Sequence, residues 1–565
     1  MTQNNSNQHN DGRLGGRGRS GGRYRGGRGS EHRGRSDGTR GTALDDAIEE
    51  LGIKTDKSMC IAIEGCCHGE LDAIYDRIRR HEDATGSKVD LLLCCGDFQS
   101  LRNTADYRSL AVPPKYRSMG SFYKYYSGEK ETPVLTIFIG GNHEASQPLQ
   151  ELYYGGWVAP KIYYLGAAGV VNVGGVRIGG VSGIYKSHDF TQGRFERPPY
   201  DNSTMRSVYH VRNIDVFRMK CLSQGPDIMM SHDWPQGIEQ FGNTKELLRR
   251  KPFFRDEVER NDLGSPCNRE LLDTLKPKWW FSAHLHVKFM ATVRHNPEHL
   301  TTTTVASALV PSQLVPIIKP ALPTKKDEPE QKLFSKNEVN EYTETTVEAT
   351  QFYAIESTDK CNSDDLTDQM TRFLSLDKCL PRRQFLSILH ITSTKPKDVM
   401  EYDLEWLAIL QKSHELTVIE HKRVNMPNEL IKISQGDLEA IRSQLGNRGL
   451  SIPNNFCVTV PPHDLRDRFL PPIPFMGNPQ SDELLNLLGL RHIVTVPFEN
   501  EVPLVDDNEI DLDDGDDDDE INLPAGHEAH MGNCETHLDD DEKEIDVDKS
   551  VMNEKTLKKP RLDGI

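Results

Sequence analysis

Residues 59–71 read MCIAIEGCCHGEL, residues 89–99 read VDLLLCCGDFQ and residues 134–144 read VLTIFIGGNHE. Each is a continuous apolar run of strand length that stops at a glycine and a polar residue. A run without polar alternation predicts a strand covered on both faces, as in layered α/β folds. Such folds collect their sites at the carboxyl ends of strands. The polar residues fall at those ends: Cys66, His68, Asp97, Asn142 and His143. After the first run, LDAIYDRIRR at 71–80 reads as a helix.

Working outward, VVNVGGVRIGGVSGIY at 170–185 looks like a hairpin with glycine-marked turns. DIMMSHDWP at 227–235 is another apolar run and carries His232, and KWWFSAHLHVKF at 278–289 carries His284 and His286. TRFLSLDKCLPRRQFLSILHI at 371–391 resumes a strand-like pattern, and EYDLEWLAILQ at 401–411 looks helical. Residues 182–212 are rich in Arg, Tyr and Pro and have weak periodicity. A loop of that length inside a compact domain is usually functional or disordered.

Composition bounds the rest. The chain has 565 residues, of which 36% are hydrophobic, so part of it is expected to be disordered. Residues 1–56 form an Arg/Gly-rich arm with repeats such as GGRGRSGGRYRGGRG, a type that often meets RNA non-specifically through Arg charge and stacking. The net charge is −18, but an acidic tail at 496–565 masks any basic catalytic surface in that sum. The tail ends in a short basic cluster of Lys558, Lys559, Pro560 and Arg561, which reads as a nuclear localisation signal of low specificity. No apolar stretch reaches the length of a membrane span and no signal peptide is read, so no membrane partner is expected. The 11 cysteines, several inside strand-like runs, suggest reduced thiols rather than a disulfide framework. The expected organisation is a catalytic domain at 57–393 with a low-complexity insertion at about 297–368, an accessory domain at 394–495, and disordered termini.

Taken singly, C-x-H, GD, GNHE, SH and HLH are weak signals. Together, in this order and each after an apolar run, they supply groups suited to divalent transition metals. The series resembles the calcineurin-like metallophosphoesterase superfamily, whose pattern is D-x-H, GD, GNH[ED], H and GHxH. That resemblance implies a four-layered α/β/β/α sandwich and a two-ion site. Carried over, one ion would be held by Cys66, His68, Asp97 and His286, the other by Asp97, Asn142, His232 and His284, with Asp97 bridging. His143 matches the superfamily's catalytic histidine.

Cys66 stands where the superfamily has Asp. A thiolate favours zinc or ferrous iron over magnesium or calcium, and manganese is a further candidate. With EGCCHGEL, GDFQSLRN, GIYKSHDF, SHDWP, FSAHLHVKF and LDKCLPRR, this substitution makes the chain resemble the RNA lariat debranching family, a nuclear branch of the superfamily. Residues 394–495 resemble that family's C-terminal domain. The resemblance implies hydrolysis of the 2′-5′ phosphodiester bond in branched intron RNA by a hydroxide made at two ions, with His143 as general acid. It also implies RNA contacts from residues 182–212, where Tyr185, Lys186, Arg194, Arg197, Tyr200, Arg206 and Tyr209 offer rings and cations. The competing readings are a protein Ser/Thr phosphatase, a DNA repair nuclease and a catalytically dead RNA-binding scaffold. The phosphatase reading lacks its phosphate-clamping Arg, because the stretch here is GDFQSLRN.

Overall fold

A computed structural model of the chain describes residues 58–295, 369–466, 470–474 and 477–494. The Arg/Gly arm, the insertion at 297–368 and the acidic tail lie outside the described residues.

Thirteen strands are described: β1 (Ser58–Glu64), β2 (Leu91–Cys94), β3 (Leu135–Phe138), β4 (Gly156–Ala159), β5 (Ile162–Tyr164), β6 (Ala168–Val173), β7 (Val176–Val181), β8 (Ile228–Ser231), β9 (Trp279–Ser282), β10 (Phe289–Arg294), β11 (Met370–Ser375), β12 (Leu386–Thr392) and β13 (Met400–Tyr402). They form two sheets, one ordered β12-β1-β2-β3-β5-β4 and the other β10-β11-β9-β8-β7-β6-β13. In the first, β1, β2, β3 and β5 run parallel, with β12 and β4 antiparallel at the edges. In the second, β11, β9, β8 and β7 run parallel. β6 and β7 are the expected hairpin.

The apolar runs are unbroken because both faces of each strand are covered. Alternate residues enter different cores. Ile61 and Ile63 of β1 pack with Ile228 and Met230 of β8 and Leu374 of β11 between the sheets. Cys60 and Ala62 face outward against Leu71, Ile74 and Ile78 of the helix Leu71–Thr85. On the far side, Met229 and Trp280 pack with Phe217, Leu271 and Leu272 of the helices Asn213–Lys220 and Pro266–Leu275. Helix, sheet, sheet and helix make the four layers.

The expected accessory region shares this core. Trp406, Leu407 and Ile409 of the helix Leu404–Ser413 join the same cluster as Phe217. That helix is capped by Asp403, whose carboxylate also takes the Arg177 guanidinium of β7 at 2.7 Å. β13 extends the second sheet by pairing with β6. Residues 456–461 lie on the first sheet's side, where the Tyr126 hydroxyl donates to the Val460 carbonyl at 2.9 Å. Among the described residues every cysteine is free, and no helix is long and apolar enough to cross a membrane.

Candidate metal centre

The polar groups singled out in the sequence meet at the carboxyl ends of β1, β2, β3, β8 and β9, where the two sheets come together. Side chains alternate there. Cys66 faces the core between the sheets and Cys67 the helix side. Beyond the strand ends the backbone turns sharply: His68 (φ 46°), Asp97 (φ 49°), His284 (φ 59°) and His286 (φ 47°) are all left-handed. Non-glycine residues seldom adopt this region, and such strain gathers where ligands must be aimed. The glycines beside them leave no room for a side chain. A Cβ at Gly96 would stand 2.2 Å from His232 Nδ1, and one at Gly141 would stand 2.2 Å from Asp97 Oδ1.

Asp97 is the centre, and its two oxygens face two groups. Oδ2 lies 3.5 Å from His68 Nε2, which is 3.3 Å from His286 Nε2. Candidate ligand atoms of Cys66, His68, Asp97 and His286 all lie within 4.8 Å of one another. On the other side Oδ1 lies 3.3 Å from His232 Nε2, which is 3.1 Å from Asn142 Oδ1. The His284 ring sits 5.0 Å from that of His232.

Outer contacts fix the rings. His232 Nδ1 donates to the Cys95 carbonyl at 2.7 Å, which leaves the Nε2 lone pair facing the oxygens of Asp97 and Asn142. Asp233 approaches His284 Nε2 at 3.5 Å, leaving Nδ1 for the centre. Lone pairs therefore converge on lone pairs from both sides of Asp97, an arrangement that suits divalent cations and little else. The electrostatics divide: burial opposes a charged His232 ring, yet Asp97 and the Cys95 carbonyl shift it upward. Burial opposes ionisation of the Asp97 carboxyl, yet the rings of His232, His143 and His68 hold it well below the usual carboxylate range. His68 is pushed down to about 4 by burial, which keeps its ring neutral as a ligand must be. The Cys66 thiol is pushed up by burial and then by Asp97 and Glu64, so a bound cation would be needed to ionise it.

His143 Nδ1 donates to the Ala111 carbonyl at 3.0 Å, and its backbone N–H donates to Asp97 Oδ1 at 2.9 Å. The ring's centroid lies 5.6 Å from that of His68. A backbone carbonyl, and not the neighbouring Glu144, orients this ring. Glu144 instead accepts from the backbone N–H groups of Phe98, Gln99 and Gly141 at 2.7, 2.8 and 3.1 Å. It ties the Asp97 loop to the Asn142 loop. Arg102, inside GDFQSLRN, is buried against Asp106 and Glu151 at 2.9 and 2.7 Å, so its guanidinium serves the scaffold and not a phosphate.

Residues 182–212 begin at the centre. Gly183 N–H donates to the Gly140 carbonyl at 2.8 Å, and Tyr185 N–H donates to Asp233 Oδ2 at 2.7 Å. Their middle is held by residues 418–424, through Arg194 N–H to the Val418 carbonyl at 2.8 Å and Gly193 N–H to the Lys422 carbonyl at 3.1 Å. The seven residues chosen there divide. Arg194 is buried, paired with Asp215 and stacked over Tyr153, and Tyr200 is buried with its hydroxyl donating to Gln150 at 2.6 Å. Arg197 donates to the Glu196 carbonyl at 2.6 Å. The contacts of these three lie within the protein. Tyr185, Lys186, Arg206 and Tyr209 are partly exposed. The sequence reading missed Asp233 and the Ala111 carbonyl. Adjacency to His232 could have flagged Asp233, but nothing local marks a carbonyl.

Comparison with known proteins gives this geometry a family. Residues 59–288 match the calcineurin-like phosphoesterase family, and residues 368–493 match the C-terminal domain of lariat debranching enzyme. The chain is 43% identical to the human lariat debranching enzyme over 509 residues, covering 86% of this chain and 81% of that one. It is 41% identical to the enzyme of Schizosaccharomyces pombe, covering 77% of this chain and 96% of the relative. With the Drosophila melanogaster enzyme it shares 44% identity, covering 76% of this chain and 78% of the relative. The chain is therefore a metal-dependent phosphodiesterase that belongs to the lariat debranching enzyme family.

Proposed function

We propose that this enzyme hydrolyses the 2′-5′ phosphodiester bond at the branch point of excised lariat intron RNA, releasing linear RNA. The observation that carries this reading is the union of two parts. A lone-pair cluster around Asp97 suits two cations, and segment 182–212 is hydrogen-bonded to that cluster at one end. Its middle is held by the region that matches the debranching C-terminal domain. A general phosphodiesterase would need only the first part.

The donor sets support a ligand for each ion. Cys66, His68, Asp97 and His286 would hold one ion, and Asp97, Asn142, His232 and His284 the other. A thiol among imidazoles selects zinc or ferrous iron, with manganese able to substitute. Two bound ions supply screening of the phosphate charge and a water of lowered pKa. The protein supplies the rest. Asp97 fixes the spacing of the two donor sets, and Cys95 and Asp233 fix the tautomers of His232 and His284. His143, anchored through Nδ1–H on Ala111, presents Nε2–H to the departing 2′-oxygen and protonates it, because an alkoxide is a poor leaving group. Segment 182–212 orients the branch, with Tyr185 and Tyr209 offered to bases and Lys186 and Arg206 to phosphates. We also infer from the substrate a nuclear location, which cell fractionation checks.

The test is a synthetic branched RNA with a 2′-5′ and a 3′-5′ linkage on one adenosine, supplied with zinc, iron or manganese. Selective release of the 2′-5′ arm, lost in Asp97→Ala, is expected. Turnover of a phosphoprotein or linear DNA, with the branched RNA left intact, would overturn the substrate.

A further inference from the structure

His143 is oriented by a carbonyl, and a carbonyl is only as fixed as the peptide unit that carries it. Ala111 lies in a short stretch paired antiparallel with the residues after His143. Leu110 bridges Ala145, and the Ala111 N–H donates to the Glu144 carbonyl at 3.2 Å. The Val112 N–H donates back to the Leu110 carbonyl at 2.8 Å, a three-residue turn centred on Ala111. In a trans peptide the carbonyl of one residue points opposite to the N–H of the next. The Ala111 carbonyl therefore points away from the Leu110 carbonyl, and His143 Nδ1 meets it there at 3.0 Å.

Arg117 holds this turn through its other carbonyls. Its Nε donates to the Val112 carbonyl at 2.8 Å and its Nη2 to the Leu110 carbonyl at 3.4 Å. One planar guanidinium thus spans the residues on both sides of Ala111. An arginine directed at neutral carbonyls forgoes the stronger pairing with a carboxylate, so what it gains here is direction.

The loop that carries Arg117 is itself tied to the centre. It returns at Gly120, so close to the residue after His68 that a Cβ there would stand 2.7 Å from the Gly69 carbonyl oxygen. The Ser121 N–H donates to that same oxygen at 3.0 Å. Met119 packs against the cluster of Leu110, Val112 and Ala145. Residues 112–121 thus run from the turn that orients His143 to the backbone beside His68, with Arg117 as the brace. We propose that Arg117 is a positioning residue for His143: by holding the carbonyls of Leu110 and Val112 it aims the Ala111 carbonyl, which in turn holds the His143 ring toward the departing 2′-oxygen. This deepens the debranching reading and rests on His143 as its general acid.

The test compares two branched RNAs, one with the native scissile 2′-oxygen and one with sulfur in its place, which leaves as a thiolate without needing a proton. Each is given to metal-loaded full chains of the wild type, Arg117→Met, Arg117→Lys, His143→Ala and the Arg117→Met/His143→Ala double variant. On the native RNA Arg117→Met should lower kcat by about ten- to a hundredfold, with KM and metal content unchanged. Arg117→Lys, which keeps one donor for one carbonyl, should lose less. On the sulfur RNA the loss in Arg117→Met should shrink to about twofold or less, because no proton is required there. Beside His143→Ala, the added Arg117→Met should lower kcat no further. Equal losses on the two RNAs, a further loss in the double variant, or wild-type kcat in Arg117→Met would each overturn the positioning role while leaving debranching intact. A His143→Ala that loses as much on the sulfur RNA as on the native one would overturn the general acid and this proposal with it. Failure of the wild type to cleave the native RNA would overturn the debranching reading and the proposal together.

Discussion

Around Asp97, acceptors face acceptors. In segment 182–212, charge meets countercharge: Arg194 with Asp215, Arg212 with Glu196, His210 with Asp189. Both regions are crowded with titratable side chains, and both are largely buried at their centres. The first arrangement is incomplete without an added cation, whereas in the second the buried charges are paired, with Arg194 Nε and His210 Nε2 left without a hydrogen-bond partner. Buried polar groups that converge without a complement mark a ligand site, whereas those that satisfy one another mark scaffold.

The sharpest way to break this comparison is at its centre. Asp97→Ala should remove metal from both donor sets and lower turnover by about 10⁴-fold or more. Full metal content in that variant, read by elemental analysis, would end the bridging role. His143→Ala should lower kcat by about 10²- to 10⁴-fold while metal content and RNA binding persist. Loss of the metals would instead make His143 structural.

On the scaffold side, Arg212→Met leaves Glu196 buried without its cation and should cost about 3–5 kcal/mol in urea unfolding. A change under about 0.5 kcal/mol, the range of an ordinary surface substitution, would place Arg212 outside the scaffold. Asp233→Asn should weaken metal affinity by about 10- to 100-fold through the freed His284 ring. The smallest effect belongs to Lys186→Met and Arg206→Met, each raising KM for branched RNA severalfold without moving stability. A matching loss of stability would turn these two into scaffold as well.

The centre was legible because its candidate ligands follow strands. A polar residue just past an apolar run of strand length has few places to go, and five such runs, in the parallel parts of two mixed sheets, bring their ends together. Cys66, His68, Asp97, Asn142, His232, His284 and His286 meet for that reason. Segment 182–212 gave only its general place. Arg194 and Lys186 are alike as sequence, and what separates them is Asp215, 21 residues further on and brought near by folding.

By itself the sequence determined the layered α/β fold, the ligand types and their order, because burial of strand faces is a local property of composition. It also carried the family, through Cys66 and the motifs around it. Only the tertiary structure decided that Ala111 orients His143, that Glu144 ties two loops, that the C-terminal region shares the catalytic core, and which loop side chains are buried. Those outcomes depend on groups far apart in the chain meeting within hydrogen-bonding distance, and no stretch of sequence records such a distance.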